Sequence, residues 1–268
     1  LPLEAEGLWL GLATQNERHE MNSVDFQPGG YRFVPGVFQY SAGVVAMAGY
    51  SMRRTQFRRP VSLDEGFARV EAIIKAAGRP LSAFCACELR SPGQFSEDGF
   101  QRFNERYVDT LSSWGIFDGS TNPVARSNVC PEIGGPLEPS FYAFTFTVAR
   151  DEPRPSFVVA GSGECPEGLG NYRDNIVRLG ELSHEALLEK AIFVLSEMER
   201  RLEVLGAGWA DVTATQVYTV HDIYPFLASE IVARGAAPAG VTWHFDRPPV
   251  VDLEYEMDCR GLLEELVI

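Results

Sequence analysis

Residues 66–89, GFARVEAIIKAAGRPLSAFCACEL, have an echo in residues 191–217, AIFVLSEMERRLEVLGAGWADVTATQV. Each stretch reads as an amphipathic helix, a glycine stop and a strand. Superposing Gly78 on Gly206 pairs Leu81 with Trp209, Phe84 with Val212 and Leu89 with Val217. An apolar segment ending in Ala-Gly precedes each one: VVAMAGYS at 44–51 and FVVAGSG at 157–163. A proline-alanine stretch and a strand follow each: NPVARSNV at 122–129 and APAGVTWHF at 237–245. A repeat of this size means one folding unit used twice.

The elements around the repeat follow from local rules. Ser62 caps a helix over about 63–77, with Asp64 and Glu65 in its first turn and Gly78 as its stop. Phe67, Val70, Ile73, Ile74 and Ala77 form its apolar stripe. A strand is expected at 82–90 and a helix at about 97–114, whose aromatic row (Phe100, Phe103, Tyr107) reads as core. Strands follow at 124–130 and 140–148. The charged, proline-rich DEPRP at 151–155 reads as a linker. The second half reads as a strand at 156–162, a Gly/Pro-rich loop, a helix at 184–205 capped by Ser183, a strand at 212–220, a short helix near 223–233, and strands at 241–246 and 250–258. The expected organisation is an arm over 1–30, a first unit over 31–150 and a second over 151–268. Each unit is α+β, a mixed sheet with helices on one face.

Charge is uneven. The first 150 residues carry 14 basic and 16 acidic side chains, the remainder 9 and 21, within a net charge of −14. Such a chain repels polyphosphate, so nucleic acid is not an expected partner. The cluster Arg53, Arg54, Arg58 and Arg59 is either a solvated hairpin tip, an inter-subunit ion-pair site or a funnel for an anionic substrate. No apolar run reaches about 18 residues, and the first 20 lack the basic start of a signal peptide, so neither a membrane span nor a leader is expected. Five cysteines without framework spacing point to a reducing, cytoplasmic setting. Strand alternation places Cys85 and Cys87 on one face, as buried thiols. The four histidines show no ligand spacing, and no phosphate-cradling glycine motif occurs, so no metal or cofactor is expected.

The order of motifs in the second unit, FVVAGSGE, a helix, EVLGAGWADVTATQVYTVHDIYPF, APAG and VVDLEYEMD, resembles the RidA/YjgF/UK114 family of imine and enamine deaminases. The resemblance covers about 156–258 and, more loosely, 40–148. It implies two tandem chorismate-mutase-like units, a cofactor-independent hydrolytic deamination, and a homo-oligomer, by family habit a trimer with sites between subunits. It also assigns candidates. The family's P-A-R-S turn, whose arginine holds the substrate carboxylate, matches VARSN at Arg126; in the second unit Gly240 stands there. The family's S-G-Q becomes Ser162, Gly163 and Glu164, and the first unit has Gly49, Tyr50 and Ser51. The final glutamate is Glu254 or Glu256, where the first unit has FTFTV. Neither copy is complete, which implies a composite site or one active and one structural repeat.

The residues allow that chemistry without metal. A guanidinium grips a carboxylate through two parallel hydrogen bonds, which suits Arg126. Hydrolysis of an imine needs a proton manager. Glu88, set in an apolar strand, and Glu256 are the candidates, against ion-pair or solvent-facing roles for each. Tyr50, Ser51 and Asn128 are candidate substrate-orienting groups. Cys130 lacks a nearby histidine for nucleophilic use, and His221-Asp222 reads as a strand end rather than a base pair. The leading expectation is a deaminase of a small carboxylate-bearing imine, enamine or aminomuconate-like compound. The alternatives are a non-catalytic metabolite-binding or assembly protein, and a lyase or isomerase acting on a ring carboxylate.

Overall fold

Two serines and two glycines set the frame. In the computed structural model, which describes residues 22–150, 154–169 and 171–268, Ser62 Oγ accepts from Glu65 N at the start of α1 (Leu63–Ala76), and Ser183 Oγ accepts from Ala186 N at the start of α3 (His184–Val204). Gly78 and Gly206 stop the helices with φ of +69° and +73°, a conformation a side chain would strain. A single 3₁₀ turn follows each stop, at Leu81–Ala83 and Trp209–Asp211. The chain then enters β5 (Phe84–Arg90) and β9 (Ala214–Tyr218).

The remaining elements are β1 (Val24–Phe26), β2 (Tyr31–Val34), β3 (Gly43–Ala46), β4 (Tyr50–Ser62), α2 (Glu97–Ser113), β6 (Ala125–Pro131), β7 (Ser140–Ala149), β8 (Phe157–Gly163), α4 (Tyr224–Phe226, continued by a π turn to Val232), β10 (Val241–His244), β11 (Asp246–Arg247), β12 (Glu256–Gly261) and β13 (Glu264–Val267). The first sheet has the order β11-β6-β5-β7-β4-β13, the second β1-β2-β3-β8-β12-β9-β10. Both contain the same core, β6-β5-β7-β4 and β10-β9-β12-β8, with the first pair parallel in each case. The fold is α+β, and the duplication is visible strand by strand.

Helices cover the outer faces. Phe67, Val70 and Ile74 of α1 and Phe100, Tyr107 and Leu111 of α2 pack on Phe84, Leu89 and Phe141 of the first sheet. On the second sheet, Leu187, Val194, Met198 and Leu202 of α3 pack on Val159, Val217 and Met257. The inner faces meet through small and polar residues, among them Ala86, Ala125 and Ala160, with Ser127 Oγ donating to Asp258 across the gap at 2.5 Å.

Several strands lie away from their sequence neighbours. Residues 31–46, expected in the first unit, supply β2 and β3 to the second sheet, where Gly43 pairs with Val159. In return β11 pairs with β6, and β13 runs parallel to β4 with Glu264 beside Arg53 and Glu265 beside Arg54. The arginine cluster is therefore no funnel. Arg53 pairs with Glu264 at 2.9 Å, Arg54 is buried, and Arg58 and Arg59 are exposed away from the cavity described below. Of the arm expected over 1–30, residues 1–21 lie outside the described residues, as do 151–153 of the DEPRP junction; residues 24–26 form an edge strand on β2.

Two local expectations also change. The strand placed at 250–258 begins only at Glu256. Ahead of it, Gln94 Nε2 lies within 3.1 Å of the carbonyls of Pro248, Val250 and Leu253, and Glu164 accepts from the amides of Glu254 and Tyr255. These side chains and one isolated bridge between Phe95 and Val250 satisfy that backbone, so no continuous ladder forms. A bulge between Phe84 and Ala86 breaks the alternation that would put Cys85 and Cys87 on one face. Cys85 packs between the sheets and Cys87 beneath the helices. All five cysteines are free and buried. Among the described residues no helix is long and apolar enough to cross a membrane.

Candidate active site

The repeat register identifies what each half contributes. Cys87 pairs with Arg126 across β5 and β6, and the equivalent Thr215 pairs with Val241 across β9 and β10. The second-unit counterpart of Arg126 is thus Val241 rather than Gly240, and the second unit has no cation there. By the same reasoning Met257, opposite Val217, corresponds to Phe141, opposite Leu89; their partners Ser162 and Val61 are then equivalent. The match of Ala-Gly-Tyr-Ser with Ala-Gly-Ser-Gly is therefore out of register. Unit one runs from β4 straight into its helix, whereas unit two inserts a loop over 164–183.

A cavity of about 180 Å³ opens between the two halves, walled by β6, the end of β8, the start of β12, residues 37–40 and the inserted loop. Arg126, Asn128 and Glu256 all line it. Its lining residues come from both halves of the polypeptide, Arg126 and Asn128 from the first and Gly161, Glu167, Tyr172 and Glu256 from the second.

Arg126 is 3% exposed. Its guanidinium carbon lies 4.8 Å from the ring centre of Tyr107, 5.2 Å from Tyr40, 5.5 Å from Phe103 and 5.7 Å from Phe100. These rings favour a cation, but both terminal nitrogens lack a hydrogen-bond partner among the described residues. Buried donors are almost always satisfied, so this pair marks a place where an anion fits.

Tyr40 is held over the arginine by its own strand connections. Asn122 Nδ2 donates to Gln39 O at 2.8 Å, and Ser41 N donates to Val124 O at 2.9 Å. The Tyr40 hydroxyl donates to Glu167 of the inserted loop at 2.9 Å. Glu167 also receives Arg201, which reaches from α3 and ties down Ala160 O and Ser162 Oγ at 3.1 and 3.3 Å. Tyr172, on the same loop, lines the cavity, and its backbone amide is anchored by Glu97. Burial, reinforced by Glu167, pushes the Tyr172 phenol far above its usual range, so it stays a neutral donor.

Glu256 is 4% exposed. Burial pushes its carboxyl well above the usual range; Asp258 and Glu164 add to this, while Arg90 and Arg126 pull back. That shift favours its protonated form. Its carboxyl lies over Gly161, where any Cβ would strike Oε1. Gly161→Ala is therefore expected to displace the acid and lower kcat by about 10-fold or more, by the cost of misplacing a reacting group; an unchanged kcat would show that Glu256 need not occupy this position.

The other candidates lie elsewhere. Glu88 faces Arg54, which donates to both its oxygens at 2.5 and 2.8 Å. Burial alone would raise its pKa, but Arg54, helped by Arg260 and Arg90, holds the carboxyl far below the usual range. It stays ionised and outside the cavity, so the proton role given to it is replaced by an ion pair. Glu88→Gln, which leaves the buried Arg54 with only the partly exposed Glu265 as counter-charge, should cost about 2–3 kcal/mol of stability, below the cost of a fully uncompensated buried charge, read by chemical denaturation. Because Glu88 carries a lowered pKa, its contribution is present above the unfolded value and is lost as pH falls through the folded one.

Tyr50 sits 4.6 Å from the Arg79 guanidinium, and Ser51 bonds Ser156 at 3.1 Å; neither reaches the cavity. Burial pushes Cys130 up to about 12, with Glu256 and Asp246 adding, so it stays a thiol. His221 pairs with Glu254 at 2.7 Å rather than with Asp222. Among the described residues no group of three or more His, Cys, Asp or Glu could hold a metal. The residues that sequence reasoning missed, Tyr40, Glu167 and Tyr172, come from the segment before β3 and from the loop present only in unit two.

A 2-amino-5-chloromuconate deaminase of Comamonas testosteroni is 49% identical over 249 residues, covering 92% of this chain and 99% of that protein. A chorismatase crystal structure aligns over 90% of this chain and 85% of its own at 13% identity, with a TM-score of 0.49. The YjgF protein of E. coli aligns over 40% of this chain and 80% of its own, at 16% identity and a TM-score of 0.28. Residues 23–266 match the family described as 2-aminomuconate deaminase CnbZ, and with that span and the close relative the chain belongs to this family of deaminases.

Proposed function

We propose that the chain hydrolyses a 2-aminomuconate-type enamine to the 2-oxo acid and ammonia. The observation that carries this is the buried Arg126 guanidinium, without a partner at either terminal nitrogen among the described residues, sharing one cavity with the buried Glu256 carboxyl, whose pKa burial raises.

Arg126 holds the carboxylate next to the amino-bearing carbon. Glu256 delivers its proton to the enamine carbon, and the C=C electron pair forms that C–H bond as the nitrogen lone pair makes the C=N bond of the iminium. Water then attacks the iminium carbon and returns a proton to the Glu256 carboxylate. The resulting carbinolamine transfers its hydroxyl proton to nitrogen, and the C–N bond breaks to release ammonia and leave the ketone. One water is consumed, and Glu256 ends as it began. Each stage uses the same carboxyl first as acid and then as base, which a pKa raised toward neutrality favours. Gln39 Oε1, buried and without a partner among the described residues, is an acceptor for the substrate amine.

The test is ammonia release from freshly generated 2-aminomuconate. Turnover is expected; tight binding of the dicarboxylate without ammonia would favour the non-catalytic binding reading instead. A homo-oligomer, by family habit a trimer, and a reducing cytoplasmic setting belong to this proposal. Support for the first comes from Ile133, Leu137, Trp243 and Phe245, which leave apolar surface exposed around the β6–β7 connection and β10. Support for the second comes from the five unpaired cysteines.

A further inference from the structure

Arg126 and Asn128 stand two residues apart on β6, both buried and both lining the cavity. Alternation sends residues i and i+2 to the same face of a strand, about 6–7 Å apart along it. Asn128 is held in a definite orientation. Ser91, itself fully buried and continuing the β5 ladder through Ser91 N to Val129 O at 2.9 Å, donates its hydroxyl to Asn128 Oδ1 at 2.9 Å. That bond occupies the amide's acceptor and leaves Nδ2 as the outward group. Nδ2 is buried and has no partner among the described residues. The cavity wall therefore carries two unsatisfied donor groups on one strand face, a charged fork and a neutral amide.

We infer that Asn128, oriented by Ser91, binds the second carboxylate of a six-carbon dicarboxylate whose first carboxylate is held by Arg126. Carbon–carbon bonds of about 1.4–1.5 Å put the end carbons of an extended hexadienedioate about 6 Å apart, a span that donors projecting from successive same-face positions of one strand can bridge. A neutral donor at the second position suits the electrostatics. It adds no further buried charge beside Arg126, and it binds a carboxylate end better than an apolar one, because an unfilled Nδ2 stays unsatisfied. Asn128 is thus a substrate-binding residue that reads chain length and terminal charge, and Ser91 is its positioning residue. The inference rests on the deaminase reading for the identity of the substrate, but not for its test.

That test compares two inert ligands with the same carbon skeleton, trans,trans-muconate and sorbate, the second lacking one carboxylate. Titration calorimetry on the native chain should show muconate binding at least about 30-fold tighter, the scale of one hydrogen bond to a charged group. Asn128→Leu removes the donor at similar volume and should abolish the preference by bringing muconate affinity down to that of sorbate. Ser91→Ala frees the amide to rotate and should reduce the preference several-fold without moving sorbate, which a merely structural defect would not spare. Equal or absent binding of the two ligands by the native chain, or equal weakening of both by either variant, overturns the inference. Ammonia release from 2-aminomuconate by the native chain tests the deaminase reading separately: a chain that prefers muconate but releases no ammonia keeps this inference and loses that one.

Discussion

Replacing Arg126 with methionine is expected to lower kcat/KM by about 10²–10³-fold, mainly through KM, while raising stability by about 1–2 kcal/mol. The first effect is the loss of a charge-assisted, two-pronged grip on a carboxylate in a buried site. The second follows from what the guanidinium lacks in the free protein. Its terminal nitrogens are buried without partners among the described residues, and the four surrounding rings offset only part of the lost hydration. Methionine fills similar volume and makes favourable sulfur–aromatic contacts with no charge to desolvate. Steady-state kinetics by ammonia release and thermal unfolding measure the two effects. A variant with unchanged KM and lower stability would make Arg126 a structural residue.

Glu256→Gln should lower kcat by about 10²–10⁴-fold, the usual contribution of general acid–base catalysis, with little change in KM. The pH dependence gives a sharper test. Glu256 works from its protonated form, so the native rate falls as pH rises through its raised pKa; the variant's residual rate should lack that alkaline limb. Persistence of the same limb would assign it to another group. Stability moves the other way. A carboxyl whose pKa is raised by folding binds its proton more tightly in the native state, so above about pH 4.3, the unfolded value, its ionisation increasingly opposes folding. Glutamine carries no such penalty. The variant should therefore gain on the native protein as pH rises from about 5, and the gap should level off only above the folded pKa.

What the sequence reveals of this molecule is what local chemistry decides. Ser62 and Ser183 start their helices, and Gly78 and Gly206 stop them, where capping rules place these events. Arg126, Asn128 and Glu256 were all legible, the first and last through family motifs, and they do share one cavity. Apart from the bulge that separates Cys85 from Cys87, the failures involve distant partners. Glu88 looks like an isolated carboxylate in an apolar strand until Arg54 arrives from β4. The twice-occurring Ala-Gly phrase points to Tyr50 and Ser51, yet the ladder registers make Ser162 equivalent to Val61. The exchanged edges depend on which strand ends lie free after the two cores form, and no periodicity encodes that. Tyr40 and Glu167 enter the site only through a hydrogen bond spanning more than a hundred residues of chain.

The traded strands have a thermodynamic consequence. Because β11 and β13 finish the sheet of the first half and β1–β3 extend that of the second, the halves cannot separate without each losing part of its own sheet. In an assembly of single-unit chains, a pocket shared between neighbours is subject to mass action and empties its walls on dilution. Here the two walls are covalent parts of one molecule and interlocked, so the effective concentration of one for the other does not vary with how much protein is present.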